Sequence, residues 1–289
     1  LIVILNDNGM SITKSVGGVA QHLARQRLKP QYLSLKKGYR KVTSVLPGGK
    51  HLYRFTHKLK KAVKDALLPC SIFEDMGFTY LGPVDGHDVR GLTRLMRYAK
   101  ELKGPVLLHV RTVKGKGYAP AEQNKEQWHW CMPFDLETGK PLMEFDGEDY
   151  SDVTRDYLLK KMKEDPSVVT ITSATPTVMG FTEDKRREAG KQFVDVGIAE
   201  ETAVALASGI AANGGKPVYG VYSSFIQRTY DQLTQDLCIN NNPATIVVFA
   251  GSVYGMNDVT HLGLQDIPML TSIPGLVYLA PTTNEEYLA

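Results

Sequence analysis

Six short apolar runs alternate with stretches of helical periodicity, and this alternation constrains the fold more than any other feature of the sequence. The runs are 1-LIVILN-6, 105-PVLLHVRTV-113, 168-VVTITSA-174, 217-PVYGVYSS-224, 244-ATIVVFA-250 and 276-LVYLAP-281. Because they are almost continuously apolar, they are typical of strands that are covered on both faces, as in parallel sheets. Helices are expected around 51–67, 88–102, 152–163, 200–212 and 225–239. The alternation predicts an α/β fold.

The chain is long enough for two such units, because 289 residues exceed the roughly 100–200 residues of an ordinary domain. The stretch 134-FDLETGKPLMEFDGEDY-150 combines Gly, Pro and acidic residues without a clear period, as a linker does. We therefore predict one parallel-sheet domain over 1–135, a linker over 136–150 and a second parallel-sheet domain over 151–289. The chain opens on a strand-like run and stops inside a helical pattern. The first domain is therefore expected to be incomplete at its N-terminus, within a longer polypeptide.

Composition and charge argue against several classes of protein. A formal charge of +3 is too small to indicate a nucleic-acid partner, and no run is long enough to cross a membrane. The three cysteines are far apart and show no metal-ligand spacing, which suits a reducing compartment. We therefore expect a cytoplasmic protein without a nucleic-acid or membrane partner.

Two carboxylates, Glu200 and Glu201, open a helix whose following residues 202–212 carry no charge. A helix that is apolar on every side is buried. A carboxylate in its first turn has an ordinary explanation, since it favours the positive end of the helix dipole. A chemical explanation is also available for such a carboxylate: burial disfavours its charged form and lets it share a proton with a ligand.

Three segments of the first half carry polar groups near the ends of predicted strands. In 6-NDNGMSI-12, Asn8 offers an oxygen suited to Mg²⁺, although the same residues would form an Asx turn. In 112-TVKGKGYAPAE-122, Lys114 lies between glycines and is suited to a phosphate, although many surface loops look alike. In 128-WHW-130, His129 is either an acid–base group or a packed histidine.

Two further segments follow predicted strands of the second half. In 222-YSSFIQRTYDQ-232, aromatic side chains and Arg228 converge at a strand-to-helix junction, or Phe225 and Tyr230 simply belong to the core. The loop 254-YGMNDVTHLGLQD-266 combines Gly, Asn, Asp, Thr and His, and such loops on a rigid α/β scaffold are common sites of function.

Taken together, these segments resemble the 1-deoxy-D-xylulose-5-phosphate synthase family of thiamine-diphosphate enzymes, which are related to transketolase. The resemblance extends over nearly the whole chain. It is carried by 4-ILNDNGMSI-12, 82-GPVDGHD-88, 107-LLHVRTVKGKGYAPAE-122, 194-VDVGIAEETAV-204 and 222-YSSFIQRTYDQ-232. It implies a transferase that condenses pyruvate-derived hydroxyethyl-thiamine diphosphate with glyceraldehyde 3-phosphate, with loss of CO2. It also implies thiamine diphosphate and Mg²⁺ as cofactors, and a homodimer.

The resemblance assigns a role to each candidate residue. It implies that Asn8 and the carbonyl of Met10 hold Mg²⁺, that Lys114 lies near the diphosphate, and that Glu200 contacts the aminopyrimidine ring. Glu201 keeps the ordinary role at the helix dipole. The resemblance further implies that the ring stacks on Phe225 and that Arg228 contacts the cofactor. Tyr222 and Asp258 would contact the substrate. His129 and His261 would transfer protons or bind hydroxyl groups.

The sequence departs from the family on the side of the pocket that would hold the acceptor. Where the family has an Asp-Arg-Ala-Gly stretch whose arginine helps to hold the acceptor's phosphate, this chain has 249-FAGSVYGMNDVTH-261 and no arginine. Replacing a bidentate phosphate partner is not conservative. Two alternatives therefore stay open: a transketolase-like enzyme with a different acceptor, and a non-catalytic relative that only binds the cofactor.

Overall fold

The computed structural model describes residues 1–10, 18, 71–143, 147, 149–251 and 259–289. The described residues up to Cys131 form one compact unit, and those from Met132 to Ala289 form another. The helix predicted around 51–67 and the candidate residue Asp258 lie outside the described residues.

Among its described residues, the first unit contains a parallel sheet of three strands. The strands are β1 (Ile2–Asp7), β2 (Thr79–Asp85) and β3 (Val106–Arg111), and they are hydrogen-bonded in the order β1-β3-β2. β3 lies in the centre, and five of its six residues are buried. The helices described in this unit are α1 (Ser71–Asp75), α2 (Val89–Glu101) and α3 (Ala119–Gln123), followed by a 3-10 turn, Gln127–His129.

The second unit contains a parallel sheet of four strands in the order β5-β4-β6-β7. The strands are β4 (Val168–Thr172), β5 (Phe193–Asp195), β6 (Lys216–Tyr222) and β7 (Thr245–Phe249). The longer helices are α4 (Tyr150–Glu164), α5 (Glu183–Ala189) and α6 (Glu200–Ala212). Shorter ones are α7 (Ser223–Ile226), α8 (Tyr230–Gln232), α9 (Asp266–Thr271) and α10 (Asn284–Leu288), with a π-helical stretch Leu233–Ile239.

The main core of the second unit forms where α6 and the helical run after β6 pack on the sheet. Its fully buried members include Ile171 on β4, Val204 on α6 and Tyr219 on β6. Burying a side chain of this size stabilises a fold by about 1.5–3 kcal/mol. α6 is therefore held by its apolar residues, and this packing fixes the position of its first residue, Glu200.

The α/β fold with parallel sheets is confirmed. The helix predicted over 200–212 is present as Glu200–Ala212. The strand predicted over 276–281 is wrong: this segment has no regular secondary structure, and its Val277 and Leu279 are each 79% exposed. No helix in the described part of the chain is long and apolar enough to cross a membrane.

Candidate active site

The turn after β1 begins at the carboxyl edge of the first sheet, where ligands of open parallel sheets collect. The amide oxygen of Asn8 accepts a hydrogen bond from the backbone N–H of Met10 at 2.9 Å. One carboxylate oxygen of Asp7 accepts from the N–H of Gly9 at 3.3 Å. Gly9 has φ +78°, a backbone conformation that favours glycine. The Asx turn expected from the sequence is therefore present.

This turn fits part of a magnesium site. The Asn8 amide oxygen keeps a second lone pair, and both it and a backbone carbonyl are hard oxygen ligands of the kind Mg²⁺ prefers. Both oxygens are uncharged, so the negative charge that Mg²⁺ needs has to come from a phosphate ligand or another residue. Within the described ranges, no cluster of three or more His, Cys, Asp or Glu residues could hold a metal ion.

Lys114 and His129 contact each other in the first unit. The ammonium nitrogen of Lys114 lies 2.8 Å from Nδ1 of His129. Burial lowers the pKa of Lys114, and the carboxylate of Glu126 partly opposes this change. Burial also lowers the pKa of His129, and the positive charge of Lys114 lowers it further. Because an ammonium group only donates, Nδ1 accepts, and the neutral ring carries its proton on Nε2.

Glu200 is the first residue of α6, and its side chain is only 3% exposed. The residue before it, Ala199, is the N-cap and has no side chain that could accept from the helix N–H groups. Its neighbour Glu201 is exposed, as expected for a carboxylate that interacts with the helix dipole and water. The two carboxylates in the first turn of α6 thus differ in solvent exposure, since Glu200 is buried and Glu201 is exposed.

The buried carboxylate of Glu200 forms an ion pair with Arg228. Nη1 of Arg228 donates to Oε1 of Glu200 at 2.8 Å, and the arginine side chain is 47% exposed. The guanidinium carbon of Arg228 also lies 5.4 Å from the centre of the Phe225 ring, a cation–π contact. Arg228 therefore connects the carboxylate to an aromatic face.

Three rings meet where β6 ends. The ring of Phe225 lies 5.6 Å from that of Tyr222 and 5.3 Å from that of His261, both in edge-on geometry. The rings of Tyr222 and His261 are 6.1 Å apart. Burial raises the pKa of Tyr222, so its hydroxyl stays protonated and can donate a hydrogen bond at neutral pH. Nδ1 of His261 lies 2.8 Å from the hydroxyl of Thr260.

The second unit thus brings five candidate residues into one connected cluster, which comprises Glu200, Arg228, Phe225, Tyr222 and His261. In the first unit, Lys114 and His129 form a pair, and Asn8 and Met10 share a turn. The roles given to these residues by resemblance remain predictions.

A buried polar chain in the first unit was missed from the sequence. It joins Asp7 on β1, His109 on β3 and Tyr80 on β2. His109 lies in the middle of an apolar run and was read only as part of a strand. A histidine in a fully buried strand needs hydrogen-bond partners, and this requirement was the signal available in the sequence.

The second unit is similar to a known class of domain. Residues 147–289 match the family described as "Transketolase, pyrimidine binding domain". Residues 1–112 match the family described as 1-deoxy-D-xylulose-5-phosphate synthase. Together the two matches leave only residues 113–146 of the chain unmatched. The chain is thus similar to the 1-deoxy-D-xylulose-5-phosphate synthase family in its first unit and to transketolase pyrimidine-binding domains in its second.

Curated relatives match over almost the whole chain. Proteins named 1-deoxy-D-xylulose-5-phosphate synthase from Pelotomaculum thermopropionicum and Alkaliphilus oremlandii are 42% and 41% identical, each over 99% of this chain. The chain covers 45% and 46% of those two proteins, so it spans about half their length. A solved structure titled "Split gene transketolase, inactive beta4 tetramer" aligns with 44% of this chain and 41% of its own, at 18% identity and a TM-score of 0.37. That structural match is too weak to support an inference.

Proposed function

We propose that the protein is a 1-deoxy-D-xylulose-5-phosphate synthase, which decarboxylates pyruvate and transfers the remaining two-carbon unit to glyceraldehyde 3-phosphate. The observation that carries the proposal is the position of Glu200, a carboxylate buried at the start of an apolar helix and linked through Arg228 to the ring of Phe225. A protein that only binds a cofactor has no need of a desolvated carboxylate, whose burial is unfavourable unless it is compensated.

In this proposal, Glu200 holds a proton between its carboxylate and the aminopyrimidine ring of thiamine diphosphate. When bound, the cofactor would supply the carbon nucleophile and the electron sink. Phe225 would offer its apolar face to the aminopyrimidine ring. The ion pair with Arg228 compensates the buried charge of Glu200 and fixes the direction of Oε1.

The substrate side of the cluster is formed by Tyr222 and His261 in this proposal. Both rings contact Phe225. Tyr222 would donate a hydrogen bond to a substrate oxygen, and His261 would bind hydroxyl groups or move a proton. Asp258 is assigned to the same side on the resemblance alone.

The residues of the first unit would hold the charged end of the cofactor. Asn8 and Met10 would contribute two oxygens to Mg²⁺, with the diphosphate providing the negative charge. Lys114 would contact the diphosphate. His129, which accepts from Lys114 through Nδ1, would present Nε2–H as a donor to an anionic oxygen.

A different acceptor substrate is the main alternative to this proposal. No arginine is present in 249–261, where the family's phosphate-binding arginine lies, and this favours a transketolase-like enzyme with a different acceptor as the second candidate. The non-catalytic relative is the third. The homodimer and the cytoplasmic location remain predictions.

The test is product formation by the protein from its full reading frame, supplied with thiamine diphosphate, Mg²⁺ and pyruvate. Glyceraldehyde 3-phosphate and unphosphorylated glyceraldehyde are compared as acceptors. Formation of 1-deoxy-D-xylulose 5-phosphate with a strong preference for the phosphorylated aldehyde supports the synthase. Equal use of both aldehydes favours the alternative acceptor, and no condensation with either rejects the synthase.

A further inference from the structure

Three buried polar side chains form a continuous hydrogen-bonded chain through the first sheet. The Tyr80 hydroxyl lies 2.6 Å from Nδ1 of His109, and Nε2 of His109 lies 2.9 Å from Oδ2 of Asp7. Asp7 is 6% exposed, His109 0% and Tyr80 7%. Each residue comes from a different strand, so the chain crosses the whole sheet from β2 through β3 to β1.

With Asp7 ionised and His109 neutral, the donors and acceptors of this chain fit in one direction. An ionised Asp7 only accepts, so Nε2 of His109 donates to it, and Nδ1 of the neutral ring then accepts from the Tyr80 hydroxyl. The other oxygen of Asp7 accepts from the N–H of Gly9. The chain therefore reaches the backbone of the turn that carries Asn8 and Met10.

Packing fixes the far end of the chain. The Tyr80 ring is stacked on Phe73 with ring centres 6.0 Å apart, and it contacts His109 edge-on at 5.9 Å. β2 also passes close to β3, because a Cβ at Gly82 would overlap the carbonyl oxygen of His109. The tyrosine hydroxyl therefore has little freedom to move away from the imidazole.

A buried polar chain of this kind is unfavourable unless every member is satisfied, and once satisfied it specifies a single geometry. An apolar core would hold the three strands together equally well. Unlike an apolar core, the polar chain also orients the turn after β1. Asp7 directly precedes Asn8, accepts from His109 and accepts from the N–H of Gly9 within the turn.

We propose that Tyr80 and His109 are positioning residues, which act through Asp7 to hold the turn of Asn8 and Met10 in the geometry that binds a divalent cation. The inference rests on the proposed function, which assigns the cation to this turn. It adds two residues that lie on other strands and do not contact the cation themselves.

The test measures cation binding directly, by electron paramagnetic resonance titration of Mn²⁺ into the full-length protein with thiamine diphosphate. Tyr80→Phe removes only the hydroxyl. We expect it to weaken Mn²⁺ binding by up to about 10-fold, the lower end of the effect of losing a direct hydrogen-bond partner of a metal ligand, because Tyr80 acts through His109 and Asp7; turnover at saturating cation should be nearly unchanged. Thermal unfolding of each variant confirms that it is folded.

Three further variants separate positioning from stability. Leu108→Val removes one methylene group from a fully buried neighbour of His109 on β3 and leaves the polar chain intact. It should lower stability without changing the affinity for Mn²⁺. His109→Gln can still donate to Asp7 and should bind Mn²⁺ more tightly than His109→Leu.

The possible results are distinguishable. Unchanged Mn²⁺ affinity in both Tyr80→Phe and His109→Leu, with wild-type protein that binds the ion normally, overturns the inference and leaves the proposed function standing. A wild-type protein that binds no Mn²⁺ in the presence of thiamine diphosphate overturns both. Weakened binding in Tyr80→Phe but not in Leu108→Val supports the positioning role.

Discussion

Arg228 donates from Nη1 to Oε1 of Glu200 at 2.8 Å, and the two partners differ sharply in exposure, at 47% and 3%. The carboxylate is thus buried at the start of α6 while its counter-ion reaches water. Such a pair is asymmetric: losing the exposed partner leaves a buried charge without compensation.

Arg228→Met should therefore destabilise the protein. We expect the free energy of unfolding to fall by about 1–3 kcal/mol, since a buried charged group loses its hydrogen-bond partner. Urea unfolding measures the change. The matched control is the double variant Glu200→Gln with Arg228→Met, which removes both charges and should recover most of the loss. If the double variant is as unstable as the single one, the ion pair is not the cause.

The pair of Lys114 and His129 leads to a prediction about pH. Burial and, secondarily, the charge of Lys114 lower the pKa of His129 from its ordinary value of 6.5. Lys114→Met removes the second cause only, so the titration midpoint of His129 should rise toward 6.5 without exceeding it. NMR of the imidazole protons against pH measures this, and Lys116→Met serves as the control that should leave the midpoint unchanged.

The same pair affects stability with a definite sign. Because the pKa of His129 is lower in the folded protein, the unfolded chain binds protons more readily as the pH falls through about 6.5. The contribution of His129 to stability should decrease with acidification below that pH. Replacing His129 by Gln should remove this part of the pH dependence, and an unchanged dependence would contradict the account.

Gly220 on β6 has no room for a side chain. A methyl group there would overlap Sδ and Cγ of Met179, which is fully buried. Gly220→Ala should lower the free energy of unfolding by about 1–3 kcal/mol, the usual effect of overpacking a core. The control is Gly209→Ala in α6, where a Cβ meets nothing within 4 Å. It should stabilise the helix by up to about 1 kcal/mol, and opposite signs in chemical unfolding would confirm both assignments.

The interior strands β3, β4 and β6 could be predicted from the sequence, and so could the edge strands β1 and β7, whereas the edge strands β2 and β5 could not. β3 and β6 are buried on both faces and appear as apolar runs. β2 contains Gly82 and Pro83, which normally interrupt a strand. They are tolerated because β2 lies at the edge of its sheet and its pairing shifts between Leu81 and Val84.

Side-chain hydrogen bonds to a helix carbonyl explain another difference. One uninterrupted helix was expected over 225–239, but Leu233–Ile239 is π-helical. The hydroxyl of Ser208 on α6 donates to the carbonyl of Asp236 at 2.8 Å, and Nδ2 of Asn242 also points to this oxygen at 3.4 Å. Side chains that capture a helix carbonyl disturb its regular ladder. Ser208 lies 28 residues from Asp236 in the sequence, so periodicity alone could not predict their contact.

The residues of the candidate site could be predicted from the sequence, whereas the contacts between them could not. Glu200, Phe225 and Arg228 could be selected because they stand in segments with a recognisable family pattern. The ion pair between Glu200 and Arg228, and the chain from Tyr80 to Asp7, depend on which side chains of distant segments meet. That information comes from packing and register, which a single sequence does not display.

The central claim is that Glu200 acts in catalysis, and the most direct test compares Glu200→Gln with wild type in release of CO2 from pyruvate. The assay uses the full-length protein with thiamine diphosphate and Mg²⁺, with and without glyceraldehyde 3-phosphate, and cofactor affinity is measured separately by fluorescence titration. We predict that CO2 release falls at least about 100-fold, in the range typical of a lost acid–base group, while the cofactor still binds. Release by Glu200→Gln at the wild-type rate would contradict the account.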